Sequence, residues 1–454
     1  MLIIISDVHL GDGTCGQSIS ADAFHLFTDR LNELAYNASW RADGKYRPLE
    51  RLDILLLGDI LDALHSARWL DHQPGEPGYA RPWSDPRDPA YAETLADITH
   101  AILQTHAESA KILRAAAQGE LVQLPPADKH GQPNKNGQRL PLKARIYYMV
   151  GNHDWFYHLP GPAFEAIRQE IAAALGLQNQ PGPFAWEAEE SDALLELCSR
   201  YRVYARHGDL YDAFNYDKDK GRDASSLGDV FTVEMLNRFP VEVERRLGNE
   251  LDPTLIKNLR ELTNIRPALA APLWISGQIS QRADSHKLQN KLKAIWDELG
   301  EEFINLEVVR TFDRRLAFDN VDALELLQKI SKRTSFKTIN EVVNWLRKNM
   351  WGGEISYSRH ALKEKAFLDR SANYIVYGHT HHYEVVSLDW DGTPSIPASQ
   401  IYINSGTWHT YYDLAVHRPR QQKFVPYQVL TYLAFYSGDE RLGRKFETWS
   451  GAYA

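Results

Sequence analysis

The chain has 454 residues, 43% of them hydrophobic, and 51 basic against 60 acidic side chains give a formal net charge of −9. That length exceeds one average domain and that apolar content suffices for a core, so two or more packed units are expected; the acidic balance argues against nucleic acid as the main partner, because bulk phosphate binding needs a basic face, although a local basic groove stays open. Two cysteines, Cys15 and Cys198, are too few for a disulfide framework and fit a reducing cytosol, and neither a secretory leader at residues 1–10 nor a stretch near the roughly 20 apolar residues of a membrane span is visible, so a cytoplasmic chain is expected.

In chain order, an apolar strand over Leu2–Ile5 leads into Ser6-Asp7-Val8-His9, and a second over Ile54–Leu57 leads into Gly58-Asp59. A segment from about Arg68 to Lys143 follows as a surface insertion. It holds a Pro/Gly/Asp-rich stretch (Pro74 to Pro89), a helical run from Ala90 to Ala117, and a polar Pro-Gly loop from Pro125 to Pro141. Ile146–Val150 reads as a strand before Gly151-Asn152-His153-Asp154, and Tyr201–Ala205 as one before His207-Gly208-Asp209. The long stretch from Asp212 to Lys365 looks helical. Leu288, Leu292, Ile295, Trp296 and Leu299 share one helix face that Gly300 would end. Ile339, Val342, Val343 and Leu346 share another, opened by a capping box of Thr338 and Glu341. Lys218, Lys220 and Arg222 alternate with Asp217, Asp219 and Asp223, which favours a solvated mixed-charge loop over a second phosphate site. Finally Tyr374–Tyr377 precedes Gly378-His379-Thr380-His381, and Gln400–Asn404 and Tyr427–Tyr436 read as strands completing the sheets.

Strands separated by helices form sheets whose carboxyl-end loops converge, so these scattered polar residues would meet in space. Two divalent ions roughly 3.5–4 Å apart can polarise a phosphoryl oxygen and activate water, but only if an anion bridges them. Asp59 can give one oxygen to each, while neutral imidazoles and an amide oxygen complete the shells without excess negative charge. With no thiolate in the set, the ions expected are manganese first, with iron or zinc as alternatives. Cys15, His382, His409, Asp12 and Asp62 lie near the motifs in sequence, and a packing role is expected for each.

As a set, the five motifs resemble the pattern D-x-H, G-D, G-N-H-[DE], H, G-H-x-H of the calcineurin-like metallophosphoesterases. Their spellings, with Tyr402-Ile403-Asn404-Ser405-Gly406-Thr407-Trp408, also resemble less closely a bacterial branch that includes the UDP-2,3-diacylglucosamine pyrophosphatases. The likeness covers about 1–211 and 366–436. It implies Asp7, His9 and His381 on one metal, Asn152, His207 and His379 on the other, and Asp59 between them. It places His153 over the substrate phosphate, with Asp154 orienting its ring. The implied fold is a four-layer α-β-β-α sandwich formed by 1–211 and 366–454, whereas periodicity alone supports only α/β. The segment 212–365 would be a helical cap over the metals that helps to choose the substrate, or a contact for oligomerisation. The expected function is hydrolysis by metal-activated water of a monoester, diester or pyrophosphate in a small or lipid-linked phosphorylated substrate. A nuclease with a basic stripe and a non-catalytic scaffold without metal are the alternatives.

Overall fold

The computed structural model describes residues 1–266, 268–280, 285–313, 356–389, 400–414 and 424–452. The expected helix face around Ile339, Val342, Val343 and Leu346, with its capping pair Thr338 and Glu341, lies outside them.

The fold is mixed α/β, built on two mixed sheets. The larger runs in the order Phe446–Ala452 (β14), Val429–Phe435 (β13), Leu2–Ile5 (β1), Leu52–Leu57 (β2) and Ala144–Met149 (β5). Its β1, β2 and β5 are parallel, with Ile3 opposite Ile54 and Ile54 opposite Ile146, and β13 and β14 are antiparallel. The second sheet runs Val203–Ala205 (β6), Tyr374–Tyr377 (β8), Gln400–Asn404 (β10) and Glu384–Asp389 (β9), with only β9 antiparallel. A smaller sheet joins Phe424–Tyr427 (β12), Tyr411–Leu414 (β11) and Ile265–Arg266 (β7), and Gln123–Leu124 (β3) pairs with Leu140–Pro141 (β4).

Side chains alternate across a strand, so β1 sends Leu2 and Ile4 to one face and Ile3 and Ile5 to the other. Both faces are covered, which is why these strands read as unbroken apolar runs. Leu2, Ile4, Leu55, Leu57 and Met149 meet Val203, Val376 and Ile403 of the second sheet in one buried cluster, so the sheets lie face to face. Ile3, Ile5, Ile54 and Leu56 pack instead against the helices Ala21–Ala38, Pro89–Thr105, Ala107–Gln118 and Pro162–Leu175. The outer face of the second sheet, through Ile375, Tyr377 and Tyr402, is covered by Ala361 and Ala366 of two short helices. Each fully buried aliphatic side chain of this kind contributes about 1.5–3 kcal/mol of burial.

Several expectations are corrected. The segment 68–143 is not merely a surface insertion, because Trp69, Tyr91, Leu95, Ile98, Ile112 and Leu113 are buried in the core cluster of the larger sheet. Its helical run breaks into two helices at His106, whose ring Nε2 donates to the carbonyl of Gly11 at 3.0 Å, in the loop after the first motif. Tyr201 ends the helix Asp192–Tyr201 rather than starting a strand, and Arg202, at φ 53°, turns the chain into β6. Gly300 does not end its helix, which runs from Ser285 to Asn305. Leu292, Leu299 and, one turn past Gly300, Phe303 are buried on the same face, and that burial outweighs the roughly 1 kcal/mol intrinsic penalty of a mid-helix glycine.

Described residues between 227 and 309 form a hydrophobic cluster of their own around Phe239, Leu255, Trp274 and Leu299. They are mainly helical as expected, with β7 as an exception. The cluster is tied to the sheet framework by Arg81 on Glu234 at 3.1 Å and by Asn237 Nδ2, which donates to the carbonyls of Leu64 and Ser66 at 3.0 and 3.2 Å. Among the described residues no helix is long and apolar enough to cross a membrane.

Candidate metal centre

The six strands β1, β2, β5, β6, β8 and β10 are parallel within their sheets, and the motifs leave them at their carboxyl ends. The backbone there is unusual. Asp7, His9, Asp59, His379 and His381 have φ of 52°, 50°, 54°, 67° and 60°, a left-handed region that is costly for residues other than glycine. Such strain persists only where the surroundings over-determine it, and it gathers at functional sites. The motif glycines have a steric reason too. A Cβ on Gly58, itself at φ 79°, would stand 2.5 Å from His207 Nδ1, and one on Gly378 would stand 2.5 Å from Asp7 Oδ2.

The structure brings the expected ligand residues into two adjoining groups. In one, Asp7, His9 and His381 place ligand atoms within 4.8 Å of one another; in the other, Asp59, His207 and His379 do. Asn152 joins the second group, its Oδ1 standing 2.9 Å from His379 Nδ1 and 3.2 Å from His207 Nε2. Asp59 lies between them, with Oδ2 at 3.1 Å from His207 Nε2 and 3.6 Å from His9 Nε2.

The hydrogen bonds on the far side of each ring define what faces inward. His9 donates through Nδ1 to Asp62 Oδ2 at 2.7 Å, and His207 donates through Nδ1 to the carbonyl of Leu57 at 3.1 Å. His379 Nε2 is held by Asp212 Oδ2 at 3.3 Å. A ring nitrogen committed to an acceptor leaves the other as a lone pair in the neutral imidazole, the usual outer support of a metal-binding histidine. The inward nitrogens face one another and the polar oxygens of the site. His9 Nε2 faces His381 Nε2 at 3.1 Å, His381 Nε2 faces Asp7 Oδ1 at 3.4 Å, and His207 and His379 face the oxygen of Asn152. Nitrogens and carboxylate oxygens packed this closely need a proton or a metal ion among them. The donor set, all nitrogen and oxygen, could hold metal ions.

The electrostatics agree with a centre built for positive charge. Burial opposes it, but Asp59 and Asp7 raise His207 to about 10. Burial would raise Asp59, yet the imidazoles of His207 and His153 hold it far below the usual carboxylate range. Asp7 is raised by burial and by Asp59, against the pull of His207.

His153 lies beside the ligands, its backbone N–H donating to Asp59 Oδ1 at 2.8 Å. Asp154 does not orient its ring. The oxygens of Asp154 accept from the Gly151 N–H at 2.5 Å, the Ile60 N–H at 2.8 Å and the Tyr148 hydroxyl at 2.5 Å, which fixes the turn, and burial with the nearby charge of Asp59 raises it to about 7. The ring is held by Asp62, whose Oδ1 accepts from His153 Nδ1 at 3.0 Å. Asp62 is a hub rather than packing, because its other oxygen also takes His9 and, at 2.8 Å, His65 Nδ1. His65, by contrast, was signalled only by its place three residues after Asp62, in Gly-Asp-Ile-Leu-Asp-Ala-Leu-His. His409 is likewise at the centre, its ring centroid 5.0 Å from that of His9 and its Nε2 2.7 Å from Asn264 Oδ1.

The remaining candidates are structural or remote. Cys15 is buried and its thiol pushed up by burial and Asp12, and Asp12 accepts from Ser66 Oγ at 2.6 Å. His382 is exposed. Arg222 pairs with both oxygens of Asp209 at 2.7 and 3.0 Å and stacks 3.9 Å over Trp186, and Lys220 lies 3.5 Å over Phe312, so neither is free for a phosphate.

In the same loop Asp223 Oδ1 accepts from His158 Nδ1 at 2.6 Å, and against burial the hydrogen bonds to Asp223 and Glu190 raise His158 from 6.5 to about 9. The raised value means that its contribution to stability is complete below pH 6.5 and is lost as pH climbs through about 9. Thermal melting of the protein should fall across that window, and H158Q should flatten this part of the profile.

No family model matches the chain, and no curated protein matches it significantly.

Proposed function

We propose that the chain is a dinuclear metal-dependent phosphohydrolase of the calcineurin-like type, its two facing sheets and outer helices forming the four-layer α-β-β-α sandwich of 1–211 and 366–454, with 212–365 as an inserted cap. The observation that carries this reading is the convergence of buried imidazole, amide and carboxylate groups around Asp59. Asp7, His9 and His381 would hold one ion and Asn152, His207 and His379 the other, with Asp59 shared. Bound there, two divalent cations polarise a phosphoryl oxygen and make water acidic enough to act as nucleophile near neutral pH.

The chain's own groups do the rest. Against burial, Asp62 and Asp59 raise His153 to about 9 before any ion binds, and with Nδ1 given to Asp62 its Nε2 is the nitrogen that would carry a proton to the substrate. A donor so placed stabilises charge on a phosphoryl oxygen or protonates the leaving group. Asp62 fixes the ring, and Asp154 fixes the Gly151–Asp154 turn that carries it. The substrate class proposed is a small or lipid-linked phosphate ester or pyrophosphate. Unpaired, buried Cys15 and Cys198 support a reducing, cytoplasmic setting.

The test is to supply Mn²⁺ to purified protein and measure both bound metal and hydrolysis of p-nitrophenyl and bis-p-nitrophenyl phosphate. About two ions per chain with metal-dependent turnover are expected. A chain that takes up no metal and hydrolyses neither ester would instead be a scaffold.

A further inference from the structure

The insertion brings one strong cation to the wall of the centre. Its strand β7 runs parallel to β11, setting Arg266 opposite Asp413, and β11 follows directly on the segment that closes over the first motif, where the Trp408 and His409 N–H groups donate to the carbonyl of Asp7 at 3.1 and 3.3 Å. Two residues before Arg266, Asn264 accepts from His409, and at the head of β11 the ring of Tyr411 lies 5.8 Å from that of His381. Arg266 is thereby held beside both. Its charge acts on Asp62, Asp59 and Asp7, and on His381, His409 and His153.

The guanidinium is anchored but not consumed. Nη1 donates to the carbonyls of Thr263 and Ile265 at 2.9 and 3.1 Å, which fixes the plane of the fork. Among the described residues Nε and Nη2 have no acceptor, neither is sealed from solvent, and no carboxylate is within ion-pair distance. An arginine in this state presents a planar two-donor edge matched to the oxygens of a phosphoryl group.

Resting on the phosphohydrolase reading, we infer that Arg266 is a specificity-determining residue whose Nε–Nη2 edge binds the substrate's phosphoryl oxygens and selects terminal, dianionic phosphoryl groups over internal phosphodiesters. The chemistry follows from counting oxygens. A diester phosphorus has two non-bridging oxygens and one negative charge, both oxygens being wanted by a pair of cations. A terminal phosphoryl group, in a monoester or at the end of a pyrophosphate, has three such oxygens and two charges, which leaves an oxygen and a charge for the arginine.

The test uses the full Mn-loaded chain. Wild type, R266K and R266Q are compared for kcat/KM on p-nitrophenyl phosphate and on bis-p-nitrophenyl phosphate, for inorganic phosphate affinity by calorimetry, and for metal content and melting temperature. R266Q should lose about 10²-fold on the monoester and less than about threefold on the diester, and bind phosphate about 10–100-fold more weakly, with metal content unchanged. R266K, which keeps the charge but not the fork, should fall between, and it decides the matter if R266Q does not fold. Equal losses on both esters, no loss on either, or unchanged phosphate affinity would overturn the role of Arg266 while leaving the phosphohydrolase reading intact. A wild-type chain without metal or turnover would instead overturn that reading.

Discussion

Asp59→Asn is expected to strip the protein of most of its divalent metal and to lower phosphoester turnover by about 10⁴-fold or more, since cations contribute several kcal/mol of charge stabilisation to such a reaction. Asp59 is buried and reaches a side chain of each ligand group, with Oδ2 at 3.1 Å from His207 Nε2 and 3.6 Å from His9 Nε2. Removing its charge leaves Asp7 as the only anion in the ligand set, and two dications held close together require a shared anion to offset their repulsion. Asparagine is the informative substitution because it keeps the volume and tolerates the φ of 54° better than alanine does. Metal analysis after dialysis, with circular dichroism to show that the fold is kept, checks the result. Full metal content in this variant would contradict the bridging role.

His153→Ala should behave differently: metal content stays at the wild-type level while kcat falls about 10²–10⁴-fold, the usual contribution of a positioned acid or base. The difference arises because His153 turns its side chain to Asp62 and leaves only its backbone N–H on Asp59, so the ligands keep their partners when the ring is removed. Asp62→Asn should reproduce part of the loss in kcat and also loosen metal binding, because the same carboxylate holds His9. Steady-state kinetics paired with metal analysis separates these outcomes. Parallel loss of metal and rate in His153→Ala would show that the ring supports the ligand shell rather than the substrate.

The framework was readable because its strands are short apolar runs cut off by polar motifs. Leu2–Ile5, Tyr374–Tyr377 and Gln400–Asn404 match the observed strands residue for residue. Parallel pairing then accounts for why the motifs share one edge. What depended on contacts distant in sequence was not readable. Asp154 adjoins His153 along the chain, yet the turn aims its carboxylate back at Gly151 and Ile60, and the ring finds Asp62 on a different loop. The helices between Pro89 and Gln118 looked like an insertion by motif spacing, although their apolar faces complete the core. Arg266 carried no local signal, since it is the pairing of β7 with β11, far apart in sequence, that sets it beside the centre.

Diffraction from crystals soaked in Mn²⁺, with data collected at the manganese absorption edge, tests the central claim most directly. Two anomalous peaks roughly 3.5–4 Å apart are expected, with Asp59 between them, Asp7, His9 and His381 on one and Asn152, His207 and His379 on the other. A lone peak, or peaks elsewhere on the molecule, would contradict the dinuclear centre.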